Sequence, residues 1–180
     1  MTRAYSIRIV IAVALAAGLG PTPARAGESN EYKIKAALIF KFIQFVEWPK
    51  EAGPAAGQNS IVVATLGKDP FEGALEQVMA GKVVDGKAVV VRHYAAAGDV
   101  EKCQVLFAGA QGEGELAKVL KRQEPVGLLT VGETEQVFSA GGVIRIFEQE
   151  NMLRFEISRD AAARARLRIS AKLLRLAKLR

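Results

Sequence analysis

The chain has 180 residues, 50% of them hydrophobic and 24% charged, a globular composition that fits one domain and needs neither disulfide nor metal to fold. Its net charge is +6, but the first 26 residues hold Arg3, Arg8 and Arg25 and no acid, so the rest carries +6 − 3 = +3; that is too weak to mark a nucleic-acid surface, and nucleic acid is excluded as a partner. A single cysteine, Cys103, excludes an internal disulfide.

The N-terminus has the three parts of a secretory leader. Arg3 and Arg8 form a basic region, Ile9 to Leu19 is apolar, and Ala24-Arg25-Ala26 is an A-x-A cleavage site preceded by Pro21 and Pro23. The apolar stretch falls short of the ~20 residues that span a bilayer. The expectation is a leader over residues 1–26, cleaved after Ala26, and a soluble, exported domain over residues 27–180.

Glu31 to Trp48 is predicted as a helix, with Ile34, Leu38, Ile39, Phe42, Ile43, Phe45 and Val46 near a 3.6 period. Ser29 or Asn30 is its expected cap, and Pro49 its stop. Residues 50–59 are rich in Gly, Ala and Pro and are expected to loop. Ile61 to Leu66 is a continuous apolar run, the mark of a strand buried on both faces. Asp69 is then the expected N-cap of a helix from Pro70 to Met79, with Glu72 three residues on and Gly81 past the end.

Asp85-Gly86 signals a turn. Ala88 to His93, Cys103 to Ala108 and Gly127 to Val131 are predicted strands, with a helix over Glu115 to Arg122. Thr134 to Ser139 is one or two helical turns. Val143 to Phe147 and Met152 to Ile157 alternate as the arms of a hairpin through Glu150-Asn151. A final helix is expected from Asp160 to Leu179, with Leu167, Ser170, Leu174 and Ala177 on one face and a cationic remainder. Strands alternating with helices imply an α/β fold: a mainly parallel, Rossmann-like sheet flanked by helices, ending in an antiparallel hairpin and a helix.

Four patches carry a resemblance. They are Lys35-Ala36-Ala37-Leu38 to Phe45-Val46-Glu47-Trp48-Pro49; Gly67-Lys68-Asp69-Pro70-Phe71; Cys103-Gln104-Val105-Leu106-Phe107; and the run from Leu129-Thr130-Val131-Gly132, through Phe138-Ser139-Ala140-Gly141-Gly142 and Leu153-Arg154-Phe155-Glu156-Ile157, to Leu173-Leu174-Arg175-Leu176-Ala177. In this order they resemble the YfiR family of periplasmic proteins over nearly all of the expected mature chain. The resemblance implies a Rossmann-like domain, often dimeric, that restrains an inner-membrane diguanylate cyclase through its periplasmic sensor domain. It implies relief by an outer-membrane lipoprotein that sequesters the regulator, and cyclic di-GMP as the output. Family members often hold structural disulfides; with Cys103 alone, this chain departs from that pattern.

No set of residues converges on catalysis or on a metal. His93 is the only histidine, which argues against a triad or a histidine-rich metal site, and it is expected as a strand-end polar residue. Cys103 opens an apolar run and is expected as a small buried hydrophobe. Glu113 and Glu115 are expected at a helix start, favourable to its dipole. Gly109 to Gly114 reverses the dinucleotide fingerprint and is expected as a flexible loop. No cofactor is expected, and the chain is expected not to be an enzyme.

Partner contacts are expected at Glu47 and Trp48, tryptophan being enriched at binding hot spots, and at Glu156, Leu167 and Ile169. The terminal cationic helix is expected to pack on the sheet, its charge steering an acidic partner; binding to a membrane surface is the alternative. The second function weighed is a small-molecule module, for a nucleotide or aromatic metabolite, feeding a sensor kinase. Its expected site is Gly67 and Lys68, at the carboxyl end of a strand and the start of a helix, where α/β folds take anions. The P-loop spacing is missing there, and a plain strand-to-helix turn is the simpler expectation.

Overall fold

The computed structural model describes residues 24–50 and 59–180. The expected leader lies outside the described residues up to residue 23, as do residues 51–58 of the expected loop.

The first element, α1 (Ala24–Phe45), starts before the expected Ser29 or Asn30 cap and ends three residues before Trp48. Ala36, Ile39, Phe42 and Ile43 form its buried stripe. It stops because Val46 and Glu47 become β1 (Val46–Glu47), whose backbone pairs with a distant segment instead of continuing the helical ladder.

The apolar run gives β2 (Ser60–Leu66), buried from Ile61 onward. The helix expected from Pro70 is α2 (Ala74–Met79), four residues shorter at its start. Asp69 Oδ1 accepts the Phe71 N–H at 3.1 Å, an Asx turn rather than a helix cap. Glu72 (φ 49°) and Gly73 (φ 88°) are then left-handed, so the helix starts only beyond them. β3 (Val83–Val84) and β4 (Lys87–Tyr94) form a hairpin whose central residues, Asp85 and Gly86, both have positive φ, as the Asp-Gly signal requires.

A 3₁₀ turn at Ala97–Asp99 leads to β5 (Val105–Ala108). Just before it Gln104, fully buried, ties to Val62 twice: its N–H bonds Val62 O at 3.0 Å and its side-chain Oε1 accepts the Val62 N–H at 2.8 Å. Then come α3 (Glu113–Arg122), β6 (Leu129–Gly132), α4 (Gln136–Ser139), β7 (Ile144–Gln149) and β8 (Met152–Ile157). β7 and β8 form the expected hairpin, with Glu150 and Asn151 at positive φ.

The long terminal helix does not form. In its place stand α5 (Arg159–Arg164), β9 (Arg168–Ile169), α6 (Ala171–Leu174) and β10 (Lys178–Leu179). α5 ends in a Schellman motif: Arg166 is left-handed (φ 52°), its N–H bonds Ala163 O, and the Leu167 N–H bonds Ala162 O at 2.9 Å. Leu167 is buried there. Ser170 Oγ caps α6 by accepting the Leu173 N–H at 3.2 Å.

The eight-stranded sheet has the order β10-β8-β7-β6-β5-β2-β4-β3. Its central strands β4, β2, β5, β6 and β7 are parallel, and β3 and β8 are antiparallel to their neighbours β4 and β7. Alternate residues supply two cores. Ile61, Val63, Val105, Phe107 and Val131 pack with α1, α2 and α5; Val62, Ala64, Leu66, Leu106 and Ala108 pack with α3 and α4. The chain steps from β2 outward to β4, then crosses to β5 on the other side of β2. The switch point, where open α/β sheets leave a crevice, therefore lies at the carboxyl ends of β2 and β5.

Candidate partner-binding site

Four of the five residues expected to touch a partner meet at one small two-stranded sheet. β1 and β9 pair antiparallel, with Val46 opposite Ile169 and Glu47 opposite Arg168. The Ser170 N–H bonds Phe45 O at 3.0 Å, which fixes where α1 stops. Glu47 and Arg168 form an exposed ion pair at 3.7 Å. Trp48 and Ile169 are half-buried, and Leu167 is buried beneath them as support rather than contact.

Trp48 also lines a cavity of about 440 Å³ with Ile43, Phe45, Ile61, Lys87 and Ser170, at the amino-terminal end of the sheet. Its indole Nε1 is buried with no hydrogen-bond partner among the described residues. A buried donor without an acceptor is costly, so a molecule that fills the cavity and offers an acceptor would gain from it.

The fifth residue, Glu156, belongs to a different network. It is 3% exposed. The Lys178 Nζ lies 2.8 Å from one oxygen, and the Arg145 Nε lies 3.3 Å from the other as an ion pair without hydrogen-bond alignment. Arg145 and Arg180 both reach Glu135, Arg145 stacks on Phe147, and Arg180 stacks on Phe138. A partner reaches Glu156 only if Lys178 moves.

The switch-point crevice, where Gly67 and Lys68 sit, is closed by backbone. A Cβ on Gly112 would lie 2.2 Å from Leu66 O, and one on Gly67 would lie 3.2 Å from Gly112 Cα. Gly67 has φ 85°, and its N–H bonds Tyr94 O at 2.8 Å. Lys68 is exposed. The glycine run from Gly109 is thus a close-packed turn rather than a loose loop: Gly112 and Glu113 both donate to Gly109 O.

Several polar residues gain roles that their sequence positions do not show. Glu113 is 1% exposed and accepts the backbone N–H groups of Glu133 and Thr134, at 2.5 and 2.8 Å, and the Thr134 hydroxyl. Glu115 is half-buried, and its hydrogen bond to Lys118 holds its carboxyl below the ordinary value. Lys35, on α1, is buried between Glu133 at 2.5 Å and Glu31 at 2.6 Å, over the Tyr32 ring. His93 Nδ1 lies 2.7 Å from Thr65 Oγ1, and its Nε2 contacts Glu76. The i, i+4 spacing of Glu31 and Lys35 and the i, i+3 spacing of Glu115 and Lys118 are legible in the sequence; the other pairings join residues far apart in the chain.

Cys103 is buried, as expected. Burial pushes its thiol up to about 12. No group of His, Cys, Asp and Glu among the described residues is arranged to hold a metal, and none of their helices is long and apolar enough to cross a membrane.

Two solved structures are similar to this chain. One, a conserved domain protein from Vibrio cholerae O1 biovar El Tor, is 14% identical over 82% of this chain and 59% of its own, with a TM-score of 0.49. The other, an ABC domain in complex with L-Trp from Streptococcus pneumoniae, is 9% identical over 72% of this chain and 57% of its own, with a TM-score of 0.47. The chain thus spans under two thirds of the length of either. No protein of curated function matches. A family model described as YfiR/HmsC-like matches residues 32–178, from the Tyr32 that stacks beside Lys35 to the Lys178 that covers Glu156. That match takes in α1 from Tyr32 onward, the sheet as far as Lys178 of β10 and the β1–β9 pair, and the chain belongs to the YfiR/HmsC-like family.

Proposed function

We propose that this protein is a periplasmic regulator that binds the periplasmic sensor domain of an inner-membrane diguanylate cyclase and restrains it, lowering cyclic di-GMP. The observation that carries this is the YfiR/HmsC-like match over residues 32–178. The β1–β9 sheet supports it by presenting Glu47, Trp48 and Ile169 together on a short unit held by Phe45 and Ser170. Restraint works by population shift: the regulator holds the cyclase off only so far as it binds the inactive state more tightly. A competing partner, such as an outer-membrane lipoprotein, lowers the free regulator and releases the enzyme. Homodimerisation and the cleaved leader belong to the same proposal, which includes no catalysis by this chain.

Deleting the gene should raise cellular cyclic di-GMP, and a copy carrying Trp48→Ala with Glu47→Arg should fail to restore the low level while remaining folded and exported. Unchanged cyclic di-GMP in the deletion strain counts against the whole proposal.

A second function, binding a small molecule for a sensor kinase, is favoured by one observation: the cavity at Trp48 with its unpartnered indole N–H. The site then lies at the amino-terminal end of the sheet and not at Gly67 and Lys68. A thermal-shift screen with nucleotides and aromatic carboxylates tests it; no stabilisation at millimolar ligand removes it.

A further inference from the structure

The positive charge of this protein is gathered in one stretch. Residues Arg159 to Arg180 hold eight arginines and lysines against one acid, a net +7, whereas the described residues before them hold fifteen against seventeen, a net −2. Arg168, Lys178 and Arg180 are paired with Glu47, Glu156 and Glu135. Arg159, Arg164 and Arg175 are exposed, and none of them forms an ion pair with a carboxylate among the described residues. Lys172 is exposed over the Phe45 ring. The same stretch exposes Leu176, at 70%, and Leu179, at 48%, two of the five large apolar side chains that the described residues leave open.

Because the expected helix is broken at Arg166 and again after Leu174, these leucines are not drawn into the core with Leu167 and Leu173. Neither the cavity beside Cys103 and Leu128 nor the one at Trp48 is lined by them. Leu176 and Leu179 therefore stand exposed among the cations Arg175, Lys178 and Arg180, with Lys172 exposed one turn before. A protein hot spot needs a pocket to desolvate its anchor. A lipid surface needs none: leucines enter the boundary below the headgroups while the cations remain at the phosphates.

We propose that the α6–β10 surface docks on an anionic phospholipid bilayer, Lys172 and Arg175 meeting the phosphates and Leu176 and Leu179 the interface. The proposal is independent of the cyclase, since lipid alone is the ligand. Docking would confine the protein to a membrane plane and raise its encounter rate with anything embedded there.

The test is co-sedimentation of the full protein with vesicles of phosphatidylglycerol and phosphatidylcholine, or of phosphatidylcholine alone. Binding is expected only to the anionic vesicles and should weaken as salt is raised. Lys172→Gln with Arg175→Gln should lower the affinity about 25-fold, at roughly fivefold per cation; Leu176→Ser should remove binding that survives salt. All variants share one N-terminus, so its contribution cancels, and their melting curves should match the parent's. Equal binding to both vesicle types, no binding to anionic vesicles, or unchanged binding of the folded double variant overturns the proposal. Tighter binding to soluble polyglutamate than to the anionic vesicles would also overturn it, in favour of an acidic protein partner.

Discussion

Lys35 and Glu133 lie 98 positions apart, yet Lys35 Nζ sits 2.5 Å from the Glu133 carboxylate, with both side chains shielded from water. Glu133 also accepts the Ala110 N–H at 3.0 Å through its other oxygen, so one carboxylate joins α1, the turn after β5 and the end of β6. Breaking a buried pair strands the remaining charge, at a cost of about 3–5 kcal/mol. Lys35→Met should lower stability by about 3 kcal/mol in urea denaturation. Lys35→Met combined with Glu133→Leu should recover much of that loss, because the carboxylate then left without Lys35 is Glu31, whose side chain still reaches water. Equal loss in the single and double variants would show that packing, not charge, governs the site.

Gly112 and Gly114, both in the segment that follows β5, should respond oppositely to alanine. Gly112→Ala drives its Cβ to 2.2 Å from Leu66 O, a backbone atom that cannot move aside. Soluble yield should collapse, or stability should fall by about 3 kcal/mol or more, as with other overpacked sites. Gly114→Ala meets nothing within 4 Å in the first turn of α3. It should stabilise by up to about 1 kcal/mol, since alanine is the better helix former.

Cys103 should resist thiol reagents in the native protein. Its ordinary value is 9.0, and burial raises it to about 12. Below pH 9 both the folded and unfolded thiols are protonated, and the site adds no pH dependence. Between pH 9 and about 12 the unfolded thiol loses its proton while the folded one keeps it, so stability falls as pH rises, by at most about 1.4 kcal/mol per unit. Cys103→Ala should show a shallower alkaline decline than the parent in the same denaturation series. Rapid labelling of the native protein at pH 8 would contradict the burial that causes the shift.

The Glu47–Arg168 pair should be dispensable for folding. Both side chains are largely exposed, at 73% and 86%, and exposed pairs contribute at most about 1 kcal/mol. Glu47→Lys and Arg168→Glu should each leave the melting temperature nearly unchanged. Loss of cyclic di-GMP control by a stable Glu47→Lys variant would place this residue in the partner contact, while full control would move the contact elsewhere.

The elements most legible in sequence are those whose signals are local. The apolar run before Leu66, the Asp85-Gly86 and Glu150-Asn151 turns and the amphipathic Glu113–Arg122 helix each need only a few neighbours to decide their form. The start of α2 is not legible because Asp69, a favoured cap, has an equally local alternative in the Asx turn that it makes with Phe71. Glu47 and Trp48 lie far from Leu167 and Ile169 in the chain, yet the β1–β9 pair brings them together, while Glu156 is buried under Lys178.

The amino-acid sequence by itself determined the alternation of strands and helices, the parallel character of the sheet and the concentration of cations near the end, because hydrophobic period, turn chemistry and charge are carried by adjacent residues. Only the tertiary structure decided that the terminal segment breaks at Arg166 instead of running as a helix, that Glu113 and Lys35 are buried, and that glycine closes the switch point. Those outcomes depend on competition between helix propensity and distant backbone or charge partners. Val46 gains a strand partner in Ile169, and Glu113 gains three donors from residues 133 and 134, through closures of the chain that no local pattern encodes.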